Sequence, residues 1–179
     1  MSHFFFSGFA ILGICCAFLL AGAGCASSPY ENFNRGVEQG QDADSATKAY
    51  GRALENDPHD AEAWNQMGIL AFEQSEWEKA EACFREAHQL DRLHPAYPRN
   101  LAMVTAATQN LTEAENWIEL ALSLAPADID SLLTQAKIKI LQNDPNPARE
   151  ILQQVLQKEP GQEEALRLLA ILPSLSSTQ

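Results

Sequence analysis

An all-α solenoid of stacked helix-turn-helix units is predicted by three observations. Four alanines, Ala46, Ala80, Ala114 and Ala148, recur every 34 residues with no insertion or deletion. Tyr50, Phe84, Ile118 and Leu152 follow each alanine by four positions, and Ala53, Ala87, Ala121 and Val155 follow it by seven. Pro58, Pro126 and Pro160 come twelve positions after three of them, with Arg92 in the equivalent place of the second unit. A fixed period in this range marks stacked supersecondary units rather than one globular core.

The elements follow in order. Residues 1–30 carry no Asp, Glu, Lys or Arg, and Phe4 to Ala26 is almost wholly apolar or small, ending Leu20-Ala21-Gly22-Ala23-Gly24-Cys25. A short apolar run closing on small residues reads as an export signal over 1–24, with 25–29 as a linker. Four repeats follow at 27–60, 61–94, 95–128 and 129–162, each with a first helix over about positions 1–14 and a second over about 15–28. Polar turns fall near Gly40-Gln41-Asp42, Gln74-Ser75, Gln109-Asn110 and Asn143-Asp144. Pro145 and Pro147 stand where the last second helix begins, a place that tolerates a missing amide proton.

Within each second helix, spacings of four and three put positions 20, 24 and 27 on one face. The alanines admit a neighbouring helix and the larger residue fills the gap, so enlarging such an alanine costs about 1–3 kcal/mol. Proline at position 32 stops the helix and redirects the chain. Glu163 opens a fifth unit that Pro173 interrupts. A single capping helix over 163–173 therefore ends the stack, with a flexible tail at 174–179.

These residues resemble the tetratricopeptide repeat, which has an aromatic at position 4, Leu-Gly at 7 and 8, Ala at 20, an aromatic at 24, Ala at 27 and Pro at 32. Repeat two carries Trp64, Met67, Gly68, Ala80, Phe84 and Ala87, and repeat one carries Tyr30, Phe33, Asn34, Ala46, Tyr50, Ala53 and Pro58. The first helices of the last two repeats match less well, with Pro98, Leu101 and Ala102, then Leu132, Gln135 and Ala136. The resemblance covers about Ser27 to Gln162 and implies four repeats plus the cap, with a groove lined mainly by first helices.

The small residues before Cys25 resemble the lipobox of bacterial lipoproteins, whose cysteine is acylated while the preceding segment is removed. That resemblance implies a lipid anchor on Cys25, and Ala26 after it implies sorting to the outer membrane, facing the periplasm. Two or more chains hold a protein stably, at about 0.8 kcal/mol per buried methylene. Gly22 stands where a Leu is usual and no basic residue precedes the apolar run. Two other readings therefore stay open: an uncleaved membrane anchor and ordinary signal cleavage after Ala21-Gly22-Ala23. Of the remaining cysteines, Cys15 and Cys16 lie in the leader and Cys83 is expected to pack beside Phe84, with no internal disulfide.

The formal net charge of −12 disfavours nucleic acid and anionic headgroups as partners. No phosphate loop, paired-cysteine metal motif or nucleophile elbow occurs. His88 and His94, six apart, do not share a helix face, so no metal, cofactor or catalytic site is expected.

The expected working surface is the groove. In the family, positions 2, 5, 9 and 12 generally face it, and of the residues there, which include Ala106 and Asp130, Arg35, Asn65, Ile69, Phe72, Arg99, Met103, Leu133, Lys137 and Ile140 are expected to bind a partner. The apolar members suit an extended or helical peptide, unless the capping helix covers them. Arg35, Asn65, Arg99 and Lys137 add hydrogen bonds to a partner's backbone or carboxylates. Some domains of the family grip a terminal carboxylate with a Lys/Asn/Arg clamp; Glu31 at position 5 of the first repeat and Ala96 at position 2 of the third depart from it, which disfavours a chaperone-tail receptor. The expected function is a membrane-anchored, non-enzymatic scaffold of a bacterial envelope, with pilus or secretion-system assembly the first role by analogy. The alternatives are an accessory regulatory subunit of a cell-wall enzyme or envelope protease, and a hydrolase with an unrecognised site.

Overall fold

A computed structural model describes residues 43–175. The leader, Cys25, Arg35, the first helix of repeat one and the end of the tail lie outside these residues. Among the described residues run eight α-helices and no strand: α1 (Ala43–Asn56), α2 (Ala61–Glu73), α3 (Trp77–Leu90), α4 (Ala96–Ala107), α5 (Leu111–Leu124), α6 (Ile129–Leu141), α7 (Pro145–Lys158) and α8 (Glu163–Leu175). Each helix packs on the next, and α2, α4, α6 and α8 also touch along the array. This is the all-α solenoid that the 34-residue period predicts.

The second helices occupy positions 17–30 of every repeat, not 15–28. Two residues are taken up by a left-handed turn. Ser75, Gln109 and Asn143 have φ of 60°, 64° and 59°. In the first of these turns the Ser75 N–H donates to the Phe72 carbonyl at 2.9 Å and the Glu76 N–H to the Ala71 carbonyl at 2.8 Å. Gln109 and Asn110, then Asn143 and Asp144, repeat this pair of bonds. The crossed bonds satisfy carbonyls that a helix end would otherwise leave unpaired.

At the far end the helices outlast the expected stop because proline restricts the residue before it, not the one before that. Ala125 and Glu159, preceding Pro126 and Pro160, are extended at ψ 82° and 87°. Asp91 adopts the same conformation, φ −136° and ψ 97°, although Arg92 follows it. First helices start on side-chain caps: Asp60 accepts from the Ala63 N–H, Asp128 from Ser131 and Gln162 from Ala165. The third repeat has Pro95 at its cap with no such bond, and α4 begins one residue late at Ala96. Pro98 is tolerated there because the first four amides of a helix have no intrahelical acceptor. The last helix, expected to stop at Pro173, runs on to Leu175; Pro173 has no N–H to give the Leu169 carbonyl, and the loss of that one bond so near the end leaves the earlier turns intact.

The core is the small-large-small stripe. Ala80, Ala87, Ala114, Ile118, Ala121, Ala148, Leu152 and Val155 have no exposed surface, and Phe84 and Tyr50 are buried with them. Burying one such Ile or Leu contributes about 1.5–3 kcal/mol. The Phe84 ring lies close over Gly68, where an added Cβ would stand 2.5 Å from Cε1 and 2.6 Å from Cδ1. Cys83 packs beside this stripe, and burial pushes its thiol up, as suits a packing residue rather than a nucleophile.

Candidate functional site

The first helices α2, α4 and α6 lie side by side and leave a run of apolar depressions between them. The first, of about 250 Å³, is lined by Ile69, Phe72, Glu73, Phe84, Asn100 and Met103. A second joins Phe72 and Met103 to Ala106, Thr134, Lys137, Ile138 and Leu141. A third joins Ile69 and Met103 to Arg99, Asp130, Leu133 and Lys137. Met103 lines all three and is 36% exposed. The depressions therefore form one continuous groove centred on that side chain.

Of the predicted residues, Ile69, Phe72, Arg99, Met103, Leu133 and Lys137 line this groove. Phe72 is held edge-on against Trp77, with ring centroids 5.2 Å apart, so its position is set by the core. Leu133 is 6% exposed and forms part of the groove floor.

Two predicted residues serve other purposes. Asn65 is buried, and its side-chain oxygen accepts from Asn100 Nδ2 at 2.7 Å. A partner cannot reach that amide without breaking a buried bond, which leaves a desolvated group unpaired. Ile140 is half-buried against the cluster of Leu132, Leu152 and Leu172, to which Leu168 and Leu169 of the capping helix also pack. Cys25 and Arg35 lie outside the described residues.

The two cations are also engaged within the chain. Arg99 Nη1 lies 3.3 Å from Asp128 and 3.2 Å from Asp130, and Lys137 Nζ lies 3.2 Å from Glu164. Burial pushes the Asp128 carboxyl up, but hydrogen bonds from the Ser131 hydroxyl and amide, with Arg99, outweigh it and hold Asp128 below the usual carboxylate range. Arg99 therefore faces an ionised acid at neutral pH. Through Nη1, Arg99 is thus already paired within its own chain.

Sequence reasoning missed position 13. Glu73, Ala107 and Leu141 occupy it in three successive repeats and line the groove. The signal was present, since position 13 lies four after position 9 and shares its helix face.

Outside the groove, the two histidines suspected of little are occupied by rings. His88 meets Trp117 edge-on at 5.5 Å between centroids, and His94 stacks on Tyr97 at 4.5 Å. No group of three or more His, Cys, Asp or Glu among the described residues is placed to hold a metal ion. No helix among them is long and apolar enough to cross a membrane.

The tetratricopeptide repeat family matches residues 61–92 and again residues 130–161. No curated protein matches the chain. Among solved structures, the first TPR of Spaghetti (RPAP3) bound to the HSP90 peptide SRMEEVD is similar at 20% identity and a TM-score of 0.61, over 66% of this chain and 94% of that one. The second TPR domain of human RPAP3 with the HSP70 peptide SGPTIEEVD has 21% identity and a TM-score of 0.56, over 63% and 98%. A MamA protein has 16% identity and a TM-score of 0.67, over 83% and 80%.

Proposed function

From the premise that this chain is a tetratricopeptide-repeat protein, we propose that it is a non-enzymatic scaffold that holds a peptide segment of a protein partner in the α2–α4–α6 groove. The single observation that carries this is the continuous apolar trough centred on Met103. A concave apolar surface rimmed by polar side chains is the form that a peptide-binding groove takes. The trough runs across three repeats, the arrangement by which stacked repeats grip an extended or helical segment. The peptides bound by the two RPAP3 domains support a peptide occupant in general.

The anchored part of the proposal rests on sequence. The run Leu20-Ala21-Gly22-Ala23-Gly24-Cys25 supports acylation of Cys25, and Ala26 supports an outer-membrane station facing the periplasm. There the scaffold would serve pilus or secretion-system assembly.

Met103→Asp tests the groove. The side chain is partly exposed, so the array should keep its melting temperature, while a charge at the centre of the trough would be desolvated by any occupant. A protein retained by immobilised wild type from detergent-solubilised envelope, and lost from the folded variant, is the expected result. Equal retention by both would remove the groove as the working surface. Metabolic labelling with a clickable fatty acid tests the anchor: wild type should be labelled and Cys25→Ser not, and an unlabelled wild type rejects acylation.

A further inference from the structure

The groove's charges narrow the chemistry of what it holds. Among the described residues two cations reach it, Arg99 and Lys137, and both are paired with carboxylates of this chain at 3.2–3.3 Å. An acidic partner would find Arg99 already neutralised through Nη1 by Asp128 and Asp130, and Lys137 by Glu164, so it gains less from either cation than from a free one. Glu73 is in the opposite condition. It is exposed at the edge of the depression formed by Ile69, Phe72 and Met103. Among the described residues it makes no ion pair. Asp130, also lining the groove, is 70% exposed and shares its single cation with Asp128.

A carboxylate entering this trough thus meets unpaired negative charge, which repels it most at low salt. A cation there meets a free partner. The chain's net charge of −12 biases the encounter the same way.

Resting on the groove reading above, we propose that the trough selects a segment whose apolar side chain fills the Phe72–Met103 depression and whose adjoining Lys or Arg pairs with Glu73. Segments with acidic flanks are rejected.

The test uses the full chain in detergent and three fluorescent peptides that share one apolar core and differ only in Lys, Gln or Glu flanks. Anisotropy titration at low salt should rank Lys above Gln above Glu, with about tenfold or more between the extremes, narrowing above about 0.3 M salt. Glu73→Lys should reverse the Lys and Glu ranks and leave the Gln peptide unchanged. Glu119→Lys, the same charge change at an exposed site on the second helix α5, should leave the ranking intact. Equal affinities, or tighter binding of the Glu peptide by wild type, overturn the charge selection and leave the groove standing. An effect of Glu119→Lys as large as that of Glu73→Lys overturns the assignment to Glu73. Binding of none of the three overturns the groove reading itself, and this proposal with it.

Discussion

At Gly68 the choice of residue is decided by the ring opposite. Positions 8 and 24 trade volume along the array: Gly68 faces Phe84, whereas Ala102 shares a core cluster with Ile118 and Ala136 shares one with Leu152. Where position 24 is aromatic, a methyl at position 8 has no room. Gly68→Ala alone would gain about 1 kcal/mol of helix propensity. Against that, its Cβ would stand 2.5 Å from a buried ring, and overpacking of this kind costs about 1–3 kcal/mol. The variant is expected to be less stable by up to about 2 kcal/mol in urea unfolding, and Phe84→Leu in the Ala background should recover much of the loss by recreating the pair of repeat four. A stabilised Gly68→Ala would show that the Phe84 ring yields. The small-large-small stripe was legible at this scale because it recurs. Asn65 was not: its partner Asn100 sits at a different repeat position, one that no period points to, and only the stacking of α2 on α4 brings the two amides to 2.7 Å.

The same limit operates on whole helices. Existence and order of the helices could be read from recurrence, but their ends depend on bonds that leave no periodic trace. Crossed hydrogen bonds fix each first helix's end, and they require φ near +60° at position 15. No glycine marks the place, since Ser75, Gln109 and Asn143 occupy it. A left-handed conformation costs an ordinary L-residue about 1–2 kcal/mol, and Asn bears it better than Ser or Gln. Glycine gives back about 0.4–1 kcal/mol of this through the greater freedom of its unfolded chain. Gln109→Gly is therefore expected to raise stability by about 0.5–1 kcal/mol, Ser75→Gly by a similar amount, and Asn143→Gly by the least. Denaturant midpoints of the three variants check the ranking; a loss of stability at Gln109 would mean that its side chain supports the turn by contacts outweighing the backbone strain.

Across the whole molecule, repeats are joined by acids and bases that cross the joints. Glu113 takes hydrogen bonds from Arg85 and Trp117, and Glu115 takes them from Lys139 and Gln142. Those bonds, Arg85 and Lys139 first, hold both carboxyls below their usual range, as Ser131 and Arg99 do for Asp128 against the upward push of its burial. A depressed carboxylate contributes stability above its ordinary range and loses it as pH falls through the lowered value. Acid therefore loosens the joints before it reaches the apolar core within each repeat. An array of this kind behaves as a row of units coupled to their neighbours, so the position of a lesion should matter as much as its size. Leu152 and Ile118 are both fully buried at position 24, one in the last complete repeat and the other in the middle. Truncating either to Ala removes a comparable side chain at about 2–5 kcal/mol. Leu152→Ala should strip hydrogen-exchange protection from α6, α7 and α8 while α2 and α3 keep theirs, because the interior units still have partners on both sides. Ile118→Ala should lower protection on both sides of α5, because it severs the row. Uniform loss of protection in Leu152→Ala would mean that the array unfolds as one cooperative body, with coupling at the joints strong enough to erase the difference between end and middle.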